Sequence, residues 1–200
     1  MEQLISTAKQ FILQPKAAWE VAAGETSDAK KHILGYVAPL ALIPAIASFI
    51  GYGIIGYGSF MGARLSSMEW GISQAIISYL GTILGVIISG FIIYKLAPNF
   101  GATVNMDSAV KLVGFSYTAA MVGGVFHIYY PLEILSIAAS IYSLYILYIG
   151  FKPMTKVPDE KTTNYFIISI IATIAVYVVL GIILSGILVT IGFGEPSRLL

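Results

Sequence analysis

The chain has 200 residues, of which 58% are hydrophobic and only 10% are charged. Soluble domains carry about 25% charged and about 45–50% apolar residues, so this composition excludes a soluble globular protein and indicates one lipid-covered domain, residues 1–200. The net charge of +1 gives no reason to expect nucleic-acid binding, and the absence of cysteine excludes disulfides and thiolate metal sites.

Residues 1–32 predict a cytoplasmic segment that lies on the membrane surface as a short amphipathic helix. Its apolar residues recur at near-helical spacing, whereas Lys9 and Lys16 fall toward the other side. Pro15 is expected to divide the helix into two pieces, and Trp19 to anchor it among the lipid headgroups. A partly ordered tail is the alternative interpretation.

Five apolar stretches follow, and each is near or above the roughly 20 residues that cross a bilayer. In chain order they run Ile33–Tyr57, Gly71–Tyr94, Leu112–Ile128, Leu132–Phe151 and Thr163–Phe193. The predicted fold class is therefore all-α, a polytopic integral membrane protein in which residues 33–193 form a five-helix transmembrane bundle. Residues 194–200 are expected to form a short external tail.

The distribution of basic residues predicts the orientation. The side that carries the N-terminus has nine lysines, and the other side has Arg64 and Arg198, which together account for all eleven basic residues. Because Lys and Arg are enriched in cytoplasmic loops, the N-terminus is expected in the cytoplasm and the C-terminus outside.

Small residues within the spans predict close helix contacts. Gly81 and Gly85 form a Gly-x-x-x-Gly pair in the second span, and Gly181 and Ser185 mark the fifth. Membrane helices approach closely where side chains are small. Packing within one bundle and homodimerisation through the same motif are both consistent with this pattern.

The fourth span carries the most polar stripe within the membrane. Its residues are Ser136, Ser140, Ser143, Tyr142 and Tyr145. They predict either hydrogen bonds to neighbouring helices or the lining of a polar cavity. The sequence places no acidic or basic residue well inside any predicted span, which argues against ion-coupled transport without excluding it.

The loop between the third and fourth spans holds His127 and Glu133, which could bind a metal or relay a proton. Two ligands are too few for a metal site, and a carboxylate in a first helical turn stabilises the helix dipole, so a structural role is favoured. No catalytic, cofactor-binding or metal site is predicted. Trp70 is expected to anchor the outer membrane interface.

Several stretches resemble the bacterial branch of the YIP family, whose name denotes a Ypt/Rab-interacting-protein domain. They are Ile141–Gly150, Phe151–Lys161, Pro15–Trp19, Tyr36–Leu40 and Phe115–Ala119. The resemblance covers nearly the whole chain, and the motif at the end of the fourth span is its most specific part.

This resemblance implies a five-span protein of the plasma (inner) membrane of a bacterium, with a cytosolic N-terminus. At Thr118 and Ala119 the chain departs from the Thr-Pro step expected in the family, so no proline is present there to kink the third span. Eukaryotic members act in vesicle trafficking and bind prenylated Rab-type GTPases, but this chain lacks their long N-terminal region, so that role should not transfer.

The leading functional hypothesis is a non-enzymatic membrane protein that acts through helix-mediated binding of a partner or of lipid. The lipid bilayer, another membrane protein and a second copy of the chain are the expected partners. The alternative is a small transporter or channel with a polar path lined by the fourth span. A membrane enzyme ranks third, because it would need polar groups clustered at one membrane face.

Overall fold

The computed structural model describes residues 2–58 and 64–190. It confirms an all-α membrane protein with five helices that are long and apolar enough to cross a bilayer. In chain order these spans are Ala29–Ile55, Met68–Phe100, Met106–Ile128, Tyr130–Thr155 and Asp159–Ile183. The predicted external tail, residues 194–200 with Arg198, lies outside the described residues.

Two short helices, α1 and α2, precede the first span, which is itself built from several helical segments. The elements are α1 (Glu2–Leu13), α2 (Pro15–Gly24), α3 (Ala29–His32), a π-helical stretch (Ile33–Val37), α4 (Ala38–Ile50) and a second π-helical stretch (Gly51–Ile55). Pro15 begins α2, as expected for a residue that breaks one helix and can start the next.

The remaining elements form the other four spans and their connections. They are β1 (Tyr57–Gly58), paired antiparallel with β2 (Arg64–Leu65), α5 (Met68–Leu96), a 3₁₀ turn (Ala97–Phe100), α6 (Met106–Ser116), α7 (Thr118–Gly123), 3₁₀ turns at Gly124–Ile128 and Tyr130–Leu132, α8 (Glu133–Thr155) and α9 (Asp159–Thr190).

Three helices begin several residues before the apolar runs that predicted them, because each starts at a polar cap. The side chains of Asp28, Ser67 and Asn105 each accept a hydrogen bond from the backbone N–H three residues later, at 2.8–3.1 Å. Such caps satisfy N–H groups that lack partners within the first helical turn. Polar residues at the ends of the first three spans are therefore helical.

The bundle has two distinguishable ends. At one end the Ala29 N–H donates to Asp107 and the Thr103 N–H donates to the Thr155 carbonyl, at 3.1 and 3.0 Å. This end holds the lysine-bearing loops and is named the lysine end below. At the opposite end Gly51 packs against the His127 carbonyl, where an added Cβ would lie only 2.2 Å away.

The third span lies at the centre of the bundle, and the fifth lies at its edge. In the most apolar stretch of the third span 72% of the residues are buried by protein, against 6% in the fifth. Because neighbouring helices shield it from lipid, the third span can be shorter and more polar than the others. The central position of the third span therefore explains why its hydropathy is the lowest of the five spans.

The third span is broken near its middle despite the absence of proline there. Helix α6 ends at Ser116 and α7 begins at Thr118, with Tyr117 in a turn between them. The Ala120 N–H donates a hydrogen bond to the Ser143 hydroxyl of the fourth span at 2.8 Å. A neighbouring helix therefore satisfies a backbone group at the break, as lipid surroundings require.

Candidate functional site

Helices α1 and α2, named the N-terminal helix pair below, pack into the bundle. Phe11 and Trp19 are only 2% and 1% exposed. The Phe11 ring stacks on Phe115 of the third span at a centroid distance of 4.2 Å. The predicted role of Trp19 as a headgroup anchor is therefore wrong, because the apolar face of the pair is covered by protein.

Trp19 fits closely against the fourth span. Its indole N–H donates to the Ile146 carbonyl at 2.9 Å. Gly150 provides the space for the ring, since a Cβ there would lie 2.2 Å from the indole. The close contact between α2 and α8 thus depends on a residue without a side chain.

Bundle side chains also bind the carboxyl ends of both N-terminal helices. The Tyr142 hydroxyl donates to the Ile12 carbonyl at 2.7 Å, and the Lys111 ammonium donates to the Ala22 carbonyl at 3.0 Å. The last carbonyls of a helix lack the usual partner four residues later. Tyr142 supplies a donor to Ile12, and Lys111 adds a second donor at Ala22, whose carbonyl also accepts the Glu25 N–H at 3.4 Å. They hold the helix pair against the third and fourth spans.

A cavity of about 810 Å³ lies between the N-terminal helix pair and the first and third spans. Its charged lining residues are Glu25, Asp28, Lys31 and Lys111, and its apolar walls include Leu4, Phe11, Val21, Pro39 and Phe115. Gly35 and Pro39 of the first span line the cavity and are exposed, so it is accessible from the side of that span. The cavity therefore combines charged groups with an apolar interior.

Lys111 is the most deeply buried charged group of the cavity. The residue is 5% exposed and lies in the second turn of α6, near the lysine end of the third span and not well inside it. Its ammonium contacts the Ala22 carbonyl and the Glu25 carboxylate, at 3.0 and 3.2 Å. The Glu25 side chain is 61% exposed. A buried cation is thus paired with a carboxylate that solvent can reach.

The aromatic wall of the cavity ends in a chain of hydrogen bonds at the helix break. Thr118 donates to the Phe115 carbonyl at 2.6 Å, and the Tyr36 and Thr118 hydroxyls lie 2.8 Å apart. Because the single Thr118 proton is used, Tyr36 is the donor to Thr118. The His32 ring stacks on Tyr36, and its buried Nε2 has no hydrogen-bond partner in the described part of the chain.

A family model described as the Yip1 domain matches residues 9–193. The chain belongs to the Yip1 domain family. It is 25% identical over 157 residues to the inner membrane protein YohC of Escherichia coli strain K12, covering 76% of this chain and 80% of that protein. YohC of Escherichia coli strain CFT073 matches with the same identity and coverage. No solved structure matches the chain.

The family match confirms the resemblance found in the sequence and includes most of the N-terminal helix pair. Together with the five spans, it establishes this Yip1-domain protein as an integral membrane protein whose relatives lie in the inner membrane of a bacterium. The family model covers the cavity-lining residues from Gln10 onward, whereas Gln3, Leu4 and Thr7 precede the matched region.

The five residues of the predicted polar stripe in the fourth span contact different parts of the protein. Ser136 donates to the Gly123 carbonyl of the third span, Ser143 accepts from the Ala120 N–H, and Ser140 donates to the Ser136 carbonyl within its own helix. Tyr142 binds α1, whereas Tyr145 is 48% exposed. In the described part of the chain, none of the five lines the cavity.

The four predicted packing residues also differ from one another. A Cβ at Gly85 would lie 1.5 Å from the Tyr177 hydroxyl of the fifth span, so Gly85 lies at a close helix contact. At Gly81 and Gly181 it would meet nothing within 4 Å among the described residues, so a packing role for these two glycines stays a prediction. Homodimerisation through them stays a prediction, and the Ser185 side chain lies outside the described residues.

The remaining predicted residues lie at the end opposite the lysine end. Trp70 is half-buried and packs edge-on against Tyr52 at 4.6 Å. His127 Nδ1 lies 2.9 Å from a Glu133 oxygen. Among the described residues, no group of three His, Cys, Asp or Glu side chains could hold a metal ion.

Sequence reasoning missed Glu25, His32, Tyr36 and Lys111 as cavity residues. Lys111 was counted as a loop residue because the apolar run begins only at Leu112. Asn105 offered a usable signal, since a helix capped there includes Lys111 in its second turn. Lys111 and Glu25 are 86 residues apart in sequence, so no local pattern predicts their contact.

Proposed function

We propose that this Yip1-domain protein is a non-enzymatic membrane protein that binds a phospholipid in the cavity beside its N-terminal helix pair. The N-terminus and the lysine end face the cytoplasm, and the C-terminus faces outward, in keeping with the lysine distribution. The bound lipid extends from the charged rim at the lysine end along the apolar walls toward the opening near Gly35 and Pro39.

The observation that carries this proposal is the combination of burial and charge in one cavity. Ligand sites are concave, mostly apolar and furnished with a few polar groups that fix orientation. Here Phe11, Phe115 and Pro39 provide apolar surface, and Lys111 provides a buried cation at the rim. A molecule with a phosphate at one end and hydrocarbon at the other can place its phosphate near Lys111 and its hydrocarbon against the apolar residues.

The fourth-span serines support binding over transport. Ser136 and Ser143 are engaged with the third span, and Ser140 is engaged with its own helix. Hydroxyl groups committed to such bonds stabilise helix contacts, so they favour a packed interface rather than a hydrated path.

Filling the cavity tests the proposal. Gly35 lines it, and a Cβ added there meets nothing within 4 Å in the described part of the chain, so Gly35→Leu adds bulk at a position where the first side-chain carbon has space. Gly81→Leu is the matched control, because that position is equally open but lies outside the cavity lining. Native mass spectrometry of the purified chain should show phospholipid retained by the parent and by Gly81→Leu, and much less by Gly35→Leu. Equal retention by all three would overturn the proposal.

A further inference from the structure

We infer that the cavity selects a zwitterionic phospholipid whose headgroup carries both a phosphate and a primary ammonium, and that it does so by exchanging the counterion of Lys111. This inference rests on the proposed lipid-binding function and adds the headgroup class and the residue that reads it.

The rim carries equal numbers of positive and negative side chains. Lys31 and Lys111 are balanced by Glu25 and Asp28 among the lining residues. A net-negative headgroup gains from the lysines but is repelled by the carboxylates. A headgroup that contains both signs can pair with both, and complementary charge is what gives such a site its specificity.

The two members of the Lys111–Glu25 pair differ in how easily they can move. The Lys111 side chain is 6% exposed and is held by the Ala22 carbonyl, whereas the Glu25 side chain is 61% exposed. A buried ammonium is costly without an anion beside it, so Lys111 needs a negative partner at all times. A lipid phosphate can replace Glu25 there while Lys111 stays in place.

The hydrogen-bonding capacity of Lys111 also suits a phosphate. An ammonium has three N–H donors, and in the described part of the chain two acceptors bind it, Ala22 and Glu25. A phosphate oxygen can take the remaining donor as it arrives and then the donor that Glu25 releases. Charge-assisted bonds of this kind are about twice as strong as bonds between neutral groups.

The displaced Glu25 carboxylate then has a partner on the same ligand. A primary ammonium two carbons from the phosphate oxygen lies within reach of a carboxylate that this phosphate has just displaced from Lys111. Glu25 therefore pairs with Lys111 in the empty cavity and with the lipid ammonium in the occupied one. An anionic lipid without an amine leaves Glu25 unpaired beside its phosphate, which lowers its affinity.

The test compares phosphatidylethanolamine with phosphatidylglycerol of identical acyl chains, offered in equal amounts to the purified full chain. Retained lipid is measured by native mass spectrometry. The parent should favour phosphatidylethanolamine, and Glu25→Gln should lower the ethanolamine-to-glycerol ratio by about tenfold, the size expected from the loss of one charge-assisted hydrogen bond. Glu20→Gln is the matched control, because Glu20 is exposed on α2, the helix that ends just before Glu25, but does not line the cavity.

The other possible results distinguish failure of the counterion exchange from failure of lipid binding itself. If lipid is retained without headgroup preference, or if Glu25→Gln and Glu20→Gln keep the same ratio as the parent, the counterion exchange is refuted while lipid binding stands. If the parent retains no lipid, both proposals are refuted. Displacement of the lipid by an equal concentration of water-soluble glycerophosphoethanolamine would show that the ligand is the soluble headgroup compound, and would refute a lipid ligand.

Discussion

Gly150→Ala tests the contact between the N-terminal helix pair and the fourth span. The added methyl would lie 2.2 Å from Cε2 of the Trp19 indole and 2.6 Å from two further ring atoms. Carbon atoms in ordinary contact are about 3.5–4.0 Å apart, so the ring must move by more than about 1 Å. Trp19 is almost fully buried, so that movement displaces its neighbours as well.

The expected cost follows from two opposing effects. Overpacking a core by one methyl costs about 1–3 kcal/mol, whereas Gly→Ala within a helix gains about 0.5–1 kcal/mol. Gly81→Ala gains the second effect without the first, because its Cβ meets no described residue within 4 Å. The two variants should therefore differ by about 2 kcal/mol, or about 4–8 °C in Tm at about 2–4 °C per kcal/mol.

A double-mutant cycle makes the assay specific. Thermal unfolding in detergent is measured for Gly150→Ala, for Trp19→Leu and for the two changes together. Because Trp19→Leu removes the indole atoms that the methyl would strike, Gly150→Ala should cost nothing in that background, which gives a coupling energy of about 1 kcal/mol or more. Additive effects of the two changes, or an equal Tm for Gly150→Ala and Gly81→Ala, would refute the described docking of α2 on α8.

Four further predictions follow from the same contacts. Ser143→Ala leaves the Ala120 N–H without its acceptor and should lower the free energy of unfolding by about 1 kcal/mol. Ser140→Ala removes only a bond to its own helix and should change the free energy of unfolding little. Equal effects of the two variants in urea or thermal melts would argue against the interhelical bond. Gly85→Leu should lower Tm far more than Gly81→Leu, since only the former strikes Tyr177, and similar melting would place Gly85 on a lipid-facing surface. Trp19 in a Trp70→Phe background should be quenched less by iodide than Trp70 in a Trp19→Phe background, because Trp19 is buried and Trp70 is half-exposed; equal Stern–Volmer constants would contradict the docked helix pair. Reporter fusions after Lys156 should read cytoplasmic and fusions after Leu200 external, and a cytoplasmic C-terminus would contradict the proposed orientation.

The sequence alone determined the membrane class, the number of spans and the family. These properties depend on local composition: a run of apolar residues must be covered by lipid wherever it lies, and it needs no distant partner to be recognised. The caps at Asp28, Ser67 and Asn105 are equally local, and they explain why the true helices start earlier than the apolar runs.

Only the tertiary structure decided what the N-terminal helix pair contacts. An amphipathic pattern specifies that one helix face needs an apolar surrounding, but lipid and protein satisfy that need equally well. The burial of Trp19 required the carbonyl of Ile146 and the space at Gly150, both more than 120 residues away in sequence. The pattern was therefore interpreted correctly as a helix and placed in the wrong surroundings.

The cavity was also decided by contacts between distant parts of the chain. Lys111 looked like a loop lysine because hydropathy assigns each residue by its neighbours in sequence. Its contacts instead come from Ala22 of α2 and from Glu25, which directly follows that helix. In the same way, a break at Tyr117 is stable without proline because Ser143 of the next span accepts the Ala120 N–H. Local composition thus fixed which segments enter the membrane, and the pairing of distant polar groups fixed where the charged cavity lies.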